Sequence, residues 1–163
     1  LDRVQDEINR LKKIIEEKDV ANLIKVKAIL DKHGWLGPDI VGKQGSSTLF
    51  LVIQHSDQET QEKYLPVMRE AVKKGDARAS SLALLEDRVA LRKGGKQIYG
   101  SQVGRDQETG EYFVSPLEDP ENVDKRRAEV GLGPIADYIS NWNMVWDVKK
   151  HIQRTEKLEK EKE

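Results

Sequence analysis

The stretch Leu49-Phe50-Leu51-Val52-Ile53-Gln54-His55-Ser56-Asp57 constrains this chain more than any other. Five apolar residues in an unbroken run must be buried on all sides. Gln54 and His55 follow without a break, so they should emerge at a fixed place on the edge of the core. A rigidly held imidazole suits acid–base chemistry, and it is also what an ordinary core histidine looks like. Periodicity alone does not separate a short buried strand from a buried helix. Ser46, Ser47 or Thr48 can cap a helix, and no second strong strand lies nearby, so a helix over about residues 47–55 is predicted.

Upstream, Leu1, Val4, Ile8, Leu11 and Ile15 recur in steps of three and four, the seam of an amphipathic helix. Such a helix can lie on the domain or pair with a second copy, so one partner to consider is a homodimer through the Leu1–Ile15 seam. Asp19 can cap a second helix that ends near His33-Gly34. Trp35 is expected to plug the end of the core. The glycine-rich connections around Gly37 and Gly42 lack the spacing and terminal lysine of a phosphate-binding loop.

Downstream, Ser56 to Glu59 has a capping-box pattern. The helix it opens carries Tyr64, Leu65, Met68 and Val72 on one face, contains Pro66 and stops at Gly75. The next helix, Asp76 to Arg92, is apolar around most of its circumference yet contains Asp87 and Arg88. These two neighbours point about 100° apart and cannot simply face each other. Each therefore needs a partner on another element, because an unpaired buried charge is costly.

Gly94-Gly95 ends that helix. Gln97–Val103 and Glu111–Val114 read as two strands around the turn-rich segment 106–110, so a β-hairpin at about residues 96–115 is expected. Gly100 allows close approach of another backbone or a ligand. Asp119-Pro120 starts a further helix in which Arg126 and Arg127 are exposed or anion-facing. Tyr138, Trp142 and Trp146 form an aromatic stripe best read as docking the last helix. From Lys149 the chain is dominated by charge, and His151 receives no role.

The expected fold is mainly α, a compact multi-helix domain with one inserted two-stranded β-hairpin. Residues 1–34 would be amphipathic helices packed on the domain, 35–148 the core domain, and 149–163 a charged tail. Of 163 residues, 37% are hydrophobic and 35% charged, which fits long solvated helix faces better than a β-sandwich. The net charge of -1 argues against nucleic-acid binding, which needs a basic surface. No run approaches the roughly 20 apolar residues of a membrane span. The sequence has no cysteine, which excludes disulfides and thiolate chemistry. Three scattered histidines give no metal spacing, and no cofactor is expected. The chain begins at Leu1, so the sequence is compatible with an exported, periplasmic protein whose leader was removed or with a cytoplasmic one.

Taken together, Trp35-Leu36-Gly37, Leu49 to Asp57, Gln61, Leu85 to Val89 and Gln97 to Gln102 resemble a bacterial domain-of-unknown-function family, family 6624. Its members share a Gln-His-Ala/Ser-Asp element, a later Asp-Arg and a Gln-x-Tyr-Gly-Ser/Thr-Gln strand. Asn122 to Arg127 and Val130 to Leu132 match its C-terminal signature. The resemblance spans roughly Trp35 to Tyr138, supports the helix at Leu49–His55 and implies no activity.

His55, Asp87, Arg88, Gln97, Tyr99 and Gln102 come from three separate elements and are expected to converge, with Gln54 beside them. Two functions follow from such a cluster. In an enzyme or small-ligand binder, His55 serves as base or donor, Asp87 orients the imidazole, and Gln54, Arg88, Gln97, Tyr99 and Gln102 bind an anionic or polar ligand. In a structural or protein-interaction domain, the same residues form a satisfied network that fixes how hairpin and helices pack. The second is the preferred reading.

Overall fold

The structure, a computed structural model, describes residues 2–160. Leu1 of the apolar seam and the last three residues of the charged tail lie outside the described residues. The chain divides into two compact units, residues 1–77 and 78–163. The segment 35–148 runs across that division. The fold is mainly α with one small antiparallel hairpin. No described helix is long and apolar enough to cross a membrane.

In the first unit, α1 spans Asp2–His33, α2 Pro38–Gln54 and α3 Gln58–Lys74. The expected helix break at Asp19 gives way to one continuous helix. Nothing between residues 2 and 33 is glycine or proline, so the backbone has no reason to stop, and a lone potential cap does not compel a break. Gly34 ends α1, as expected, with φ of 71°. Trp35 is buried, and its indole N–H has no hydrogen-bond partner among the described residues.

The apolar run is helical. It forms the second part of α2, which begins earlier than expected, at Pro38, and is kinked at Gly42. Leu49, Phe50, Ile53 and Gln54 are buried, whereas Leu51 is half exposed, so the run is not enclosed on all sides. The helix ends at His55, which is exposed.

The cap of α3 is Asp57, one residue beyond the expected Ser56. Asp57 Oδ1 accepts the Thr60 N–H at 2.8 Å, and its Oδ2 accepts the Thr60 hydroxyl at 2.8 Å. Ser56 is turned the other way, donating its hydroxyl to the Ile53 carbonyl. These bonds from Thr60 hold the Asp57 carboxyl below its ordinary pKa. The helix runs through Pro66 and ends at Gly75.

The second unit opens with α4, Ala79–Arg92. The hairpin strands are β1, Val103–Arg105, and β2, Tyr112–Val114, paired antiparallel with Gly104 opposite Phe113. The first strand therefore starts at Val103 and not at Gln97. Residues 97–102 make a folded loop, and the Gln97 backbone pairs with the segment after β2 through an isolated bridge at Leu117. The N–H groups that a longer ladder would use are committed elsewhere, as described below.

After the hairpin, a turn of 3-10 helix at Pro120–Asn122 leads into α5, Val123–Glu129, followed by α6, Ile135–Ile139. Val114, Leu117, Val123, Ile135 and Ile139 form a core cluster, against which Tyr138, Met144 and Trp146 pack. Tyr138 and Trp142 meet edge to face at 5.3 Å. They do not share a single helical stripe with Trp146, because Asn143 adopts a left-handed conformation between them. The last helix, α7, spans Val148–Lys160. It buries His151 and Thr155, which correct the picture of a wholly solvated charged end. Desolvation, with Lys96 adding to it, pushes the His151 imidazole below its ordinary pKa, and its Nε2 has no hydrogen-bond partner among the described residues.

Candidate functional site

The residue around which the second unit's polar groups gather is Asp87. It is fully buried on α4. Its Oδ1 accepts the N–H of Ile98 at 2.7 Å and of Tyr99 at 2.9 Å, and its Oδ2 accepts the N–H of Ser101 at 2.9 Å. Glycines 94 and 95 end the helix and let the chain turn back over it. The loop then presents three N–H groups to one point, a concave nest of the kind that binds anions. Here the anion is the chain's own carboxylate.

Gln97 closes the loop from within. Its backbone bonds both ways to the segment after β2, accepting from Glu118 N and donating to the Pro116 carbonyl, each at 2.9 Å. Its side-chain oxygen accepts the Gln102 N–H at 2.8 Å. Its amide nitrogen donates to the carbonyls of Gln102 and Ser115, at 3.0 and 2.8 Å. All the strong hydrogen-bonding groups of this fully buried amide are thus engaged in tying two chain segments together.

The outward carbonyls of the same loop are held from α5 and α6. Arg126 Nε donates to Ile98 O at 2.9 Å, Arg127 Nη1 to Tyr99 O at 2.8 Å, and the Tyr138 hydroxyl to Ser101 O at 2.8 Å. Arg126 also bonds the carbonyls of Glu118 and Asp119, and Arg127 bonds that of Gly133. Arg127, expected to be exposed or anion-facing, is 2% exposed. Its guanidinium lies 5.1 Å from the Tyr138 ring centroid. Burial lowers the Arg127 pKa and raises that of the Tyr138 phenol.

Sequence reading did not single out Arg126, Arg127 and Tyr138 for this task. The usable signal was two adjacent arginines after a loop rich in backbone carbonyls that no ladder would satisfy.

Arg88 and Gln102 meet one step further out. Arg88 is half-buried and donates from Nε to the Gln102 side-chain oxygen at 3.1 Å, while Gln102 donates to the Ser101 hydroxyl at 3.0 Å. Desolvation, and the like charge of Arg92, pull the Arg88 guanidinium below its ordinary range. Tyr99 is half-buried, and burial with the nearby Glu86 raises its phenol.

Asp87, Arg88, Gln97, Tyr99 and Gln102 are therefore brought together on α4 and the loop that follows it. Gln54 and His55 belong to the first unit. Gln54 is buried, and its carbonyl accepts the Gln61 amide at 2.8 Å. His55 borders a hollow of about 570 Å³ whose other lining residues, among them Val20, Leu23, Leu51 and Asp57, also come from the first unit. Among the described residues, no group of three or more histidine and carboxylate side chains is placed to hold a metal ion.

These features define a mainly helical domain whose central loop is wrapped around a buried aspartate. The chain belongs to the family of unknown function DUF6624, which matches residues 6–151. No curated protein and no solved structure matches it.

Proposed function

We propose that this chain is a structural or protein-interaction domain, in which the Asp87-centred loop serves to fix the fold. The observation that carries the reading is how the polar side chains are spent. Both Asp87 oxygens receive backbone N–H groups from the chain itself. A general acid or base needs a proton site within reach of its substrate, and a fully buried carboxylate wrapped in its own backbone offers none. Arg126 and Arg127, the side chains best suited to an anionic ligand, are turned onto carbonyls.

The test is a thermal-shift screen of anions and small polar metabolites on the wild type and on His55→Ala. Unchanged melting with every compound is the expected result. A saturable rise in the wild type that disappears in His55→Ala would instead support a small-ligand or hydrolase-like pocket centred on His55.

A further inference from the structure

The first five turns of α1 carry an apolar stripe that is exposed among the described residues. Val4, Ile8, Leu11 and Ile15 are 65%, 40%, 47% and 57% exposed, and every described side chain from Arg3 to Asn22 is exposed except that of Ile14, which is half-buried. A helix in water without tertiary packing is marginal, and an amphipathic one is held mainly by whatever covers its apolar face. The stripe prolongs the face that α1 buries in its own unit, beyond the part that the unit covers. Val26 and Leu30 are the buried positions there. Val26 lies 18 residues, five full turns, beyond Ile8 and so on the same side of the helix, with Leu30 about 40° further round.

We propose that this seam pairs with the same seam of a second copy of the chain as a short parallel two-stranded coiled coil. The proposal rests on the interaction reading above and names its partner. Three features of the sequence select this occupant and this orientation. With Ile8 and Ile15 at a, Val4 and Leu11 fall at d, and β-branched residues at a with leucine at d favour two parallel strands. In that register Glu7 takes g and Lys12 takes e. A parallel in-register pair sets Glu7 against Lys12 of the second copy, twice by symmetry, whereas an antiparallel pair sets Glu7 against Ile14 and Gln5 against Lys12. Finally, the b, c and f positions between Arg3 and Glu17 are all polar or charged, which leaves a single apolar seam. Glu7 already holds Arg10 through two bonds of 3.0 and 2.9 Å, but that exposed i,i+3 pair is weak and leaves room for a second cation.

The seam runs for about two heptads and ends at Lys18, a d position, so the pair is expected to be reversible and dependent on concentration. Association is helped because the helix is already formed and is anchored to its unit from Val26 onward.

Sedimentation of the full chain over a concentration series tests this. A monomer–dimer equilibrium is expected. Leu11→Glu should raise the dissociation constant by roughly 100-fold or more, since a buried leucine is lost from both helices, with circular dichroism of the folded units retained. Glu7→Lys should weaken the dimer, and Lys12→Glu added to it should restore the affinity. Because the chain has no cysteine, Ile8→Cys introduces a single thiol, which should cross-link to its counterpart under mild oxidation. A chain that stays monomeric at the highest concentration overturns the proposal. So does a dimer indifferent to Leu11→Glu, or one that Ile8→Cys does not cross-link. Such a failure leaves the functional reading standing, because that reading falls only to a ligand response that depends on His55.

Discussion

A methyl group added to Gly100 would stand 2.6 Å from Cδ1 of Ile135. Gly100 also has φ of 67°, a region that side-chain-bearing residues enter at a cost of roughly 1–2 kcal/mol. Ile135 is fully buried in the second unit's core cluster and has little freedom to retreat. Gly100→Ala is therefore expected to destabilise by about 2–4 kcal/mol, strain and overpacking together. Chemical denaturation measures it, and a loss under about 0.5 kcal/mol would mean that the loop can relax away from Ile135.

Asp87→Asn tests the nest. An asparagine keeps the shape but turns an N–H₂ group toward at least one of the three backbone donors. The expected loss is about 2–4 kcal/mol, combining an unsatisfied buried donor with the loss of bonds to a charged group. Hydrogen exchange gives a more local readout. The amides of Ile98, Tyr99 and Ser101 should lose protection before those of α7. Equal protection in the two proteins would contradict the assigned bonds.

His151 gives a prediction about pH. Burial depresses its folded pKa below the ordinary value of 6.5, so the unfolded chain takes up the proton first. The stability contributed by the neutral imidazole is present above about pH 6.5 and is lost as pH falls toward the folded pKa. His151→Phe should flatten this part of the stability curve. If wild type and variant decline in parallel between about pH 7 and 5, the imidazole is solvated and not buried.

Asp57→Ala removes the cap of α3 and is expected to cost about 1 kcal/mol. The native carboxyl is held below its ordinary 3.8, so its contribution is present above that value and fades as pH falls through the folded pKa. The difference in denaturation midpoint between the two proteins should accordingly shrink in acid. A difference that persists unchanged at about pH 2 would rule out the carboxylate as its source.

How much of this could be read beforehand differs from element to element. The helical state of Leu49–Ile53 was legible from the serines and threonine before it and the lack of a strand to pair with. The hairpin was legible from its turn. The need of Asp87 for partners on another element followed from its place in an apolar helix, and the loop Gln97–Gln102 supplies them. The conformation of that loop was not legible. Alternating Gln97, Tyr99 and Ser101 look like a strand face, and only a carboxylate from α4 withdraws their N–H groups from a ladder. Asp19 misled for a related reason, since capping propensity marks where a helix can begin and does not stop one already in progress.

The wrapped aspartate also orders events in time. Its bonds to Ile98, Tyr99 and Ser101 close loops of only 11 to 14 residues, whereas Arg127 reaches back 28 residues to Tyr99 and Tyr138 reaches 37 to Ser101. Short closures cost the least chain entropy, and contacts of low sequence separation form early. In the second unit, α4 and its loop thus make a natural folding nucleus, on which α5 and α6 close later. Substitutions at Asp87 should slow refolding, while substitutions at Arg127 or Tyr138 should mainly hasten unfolding.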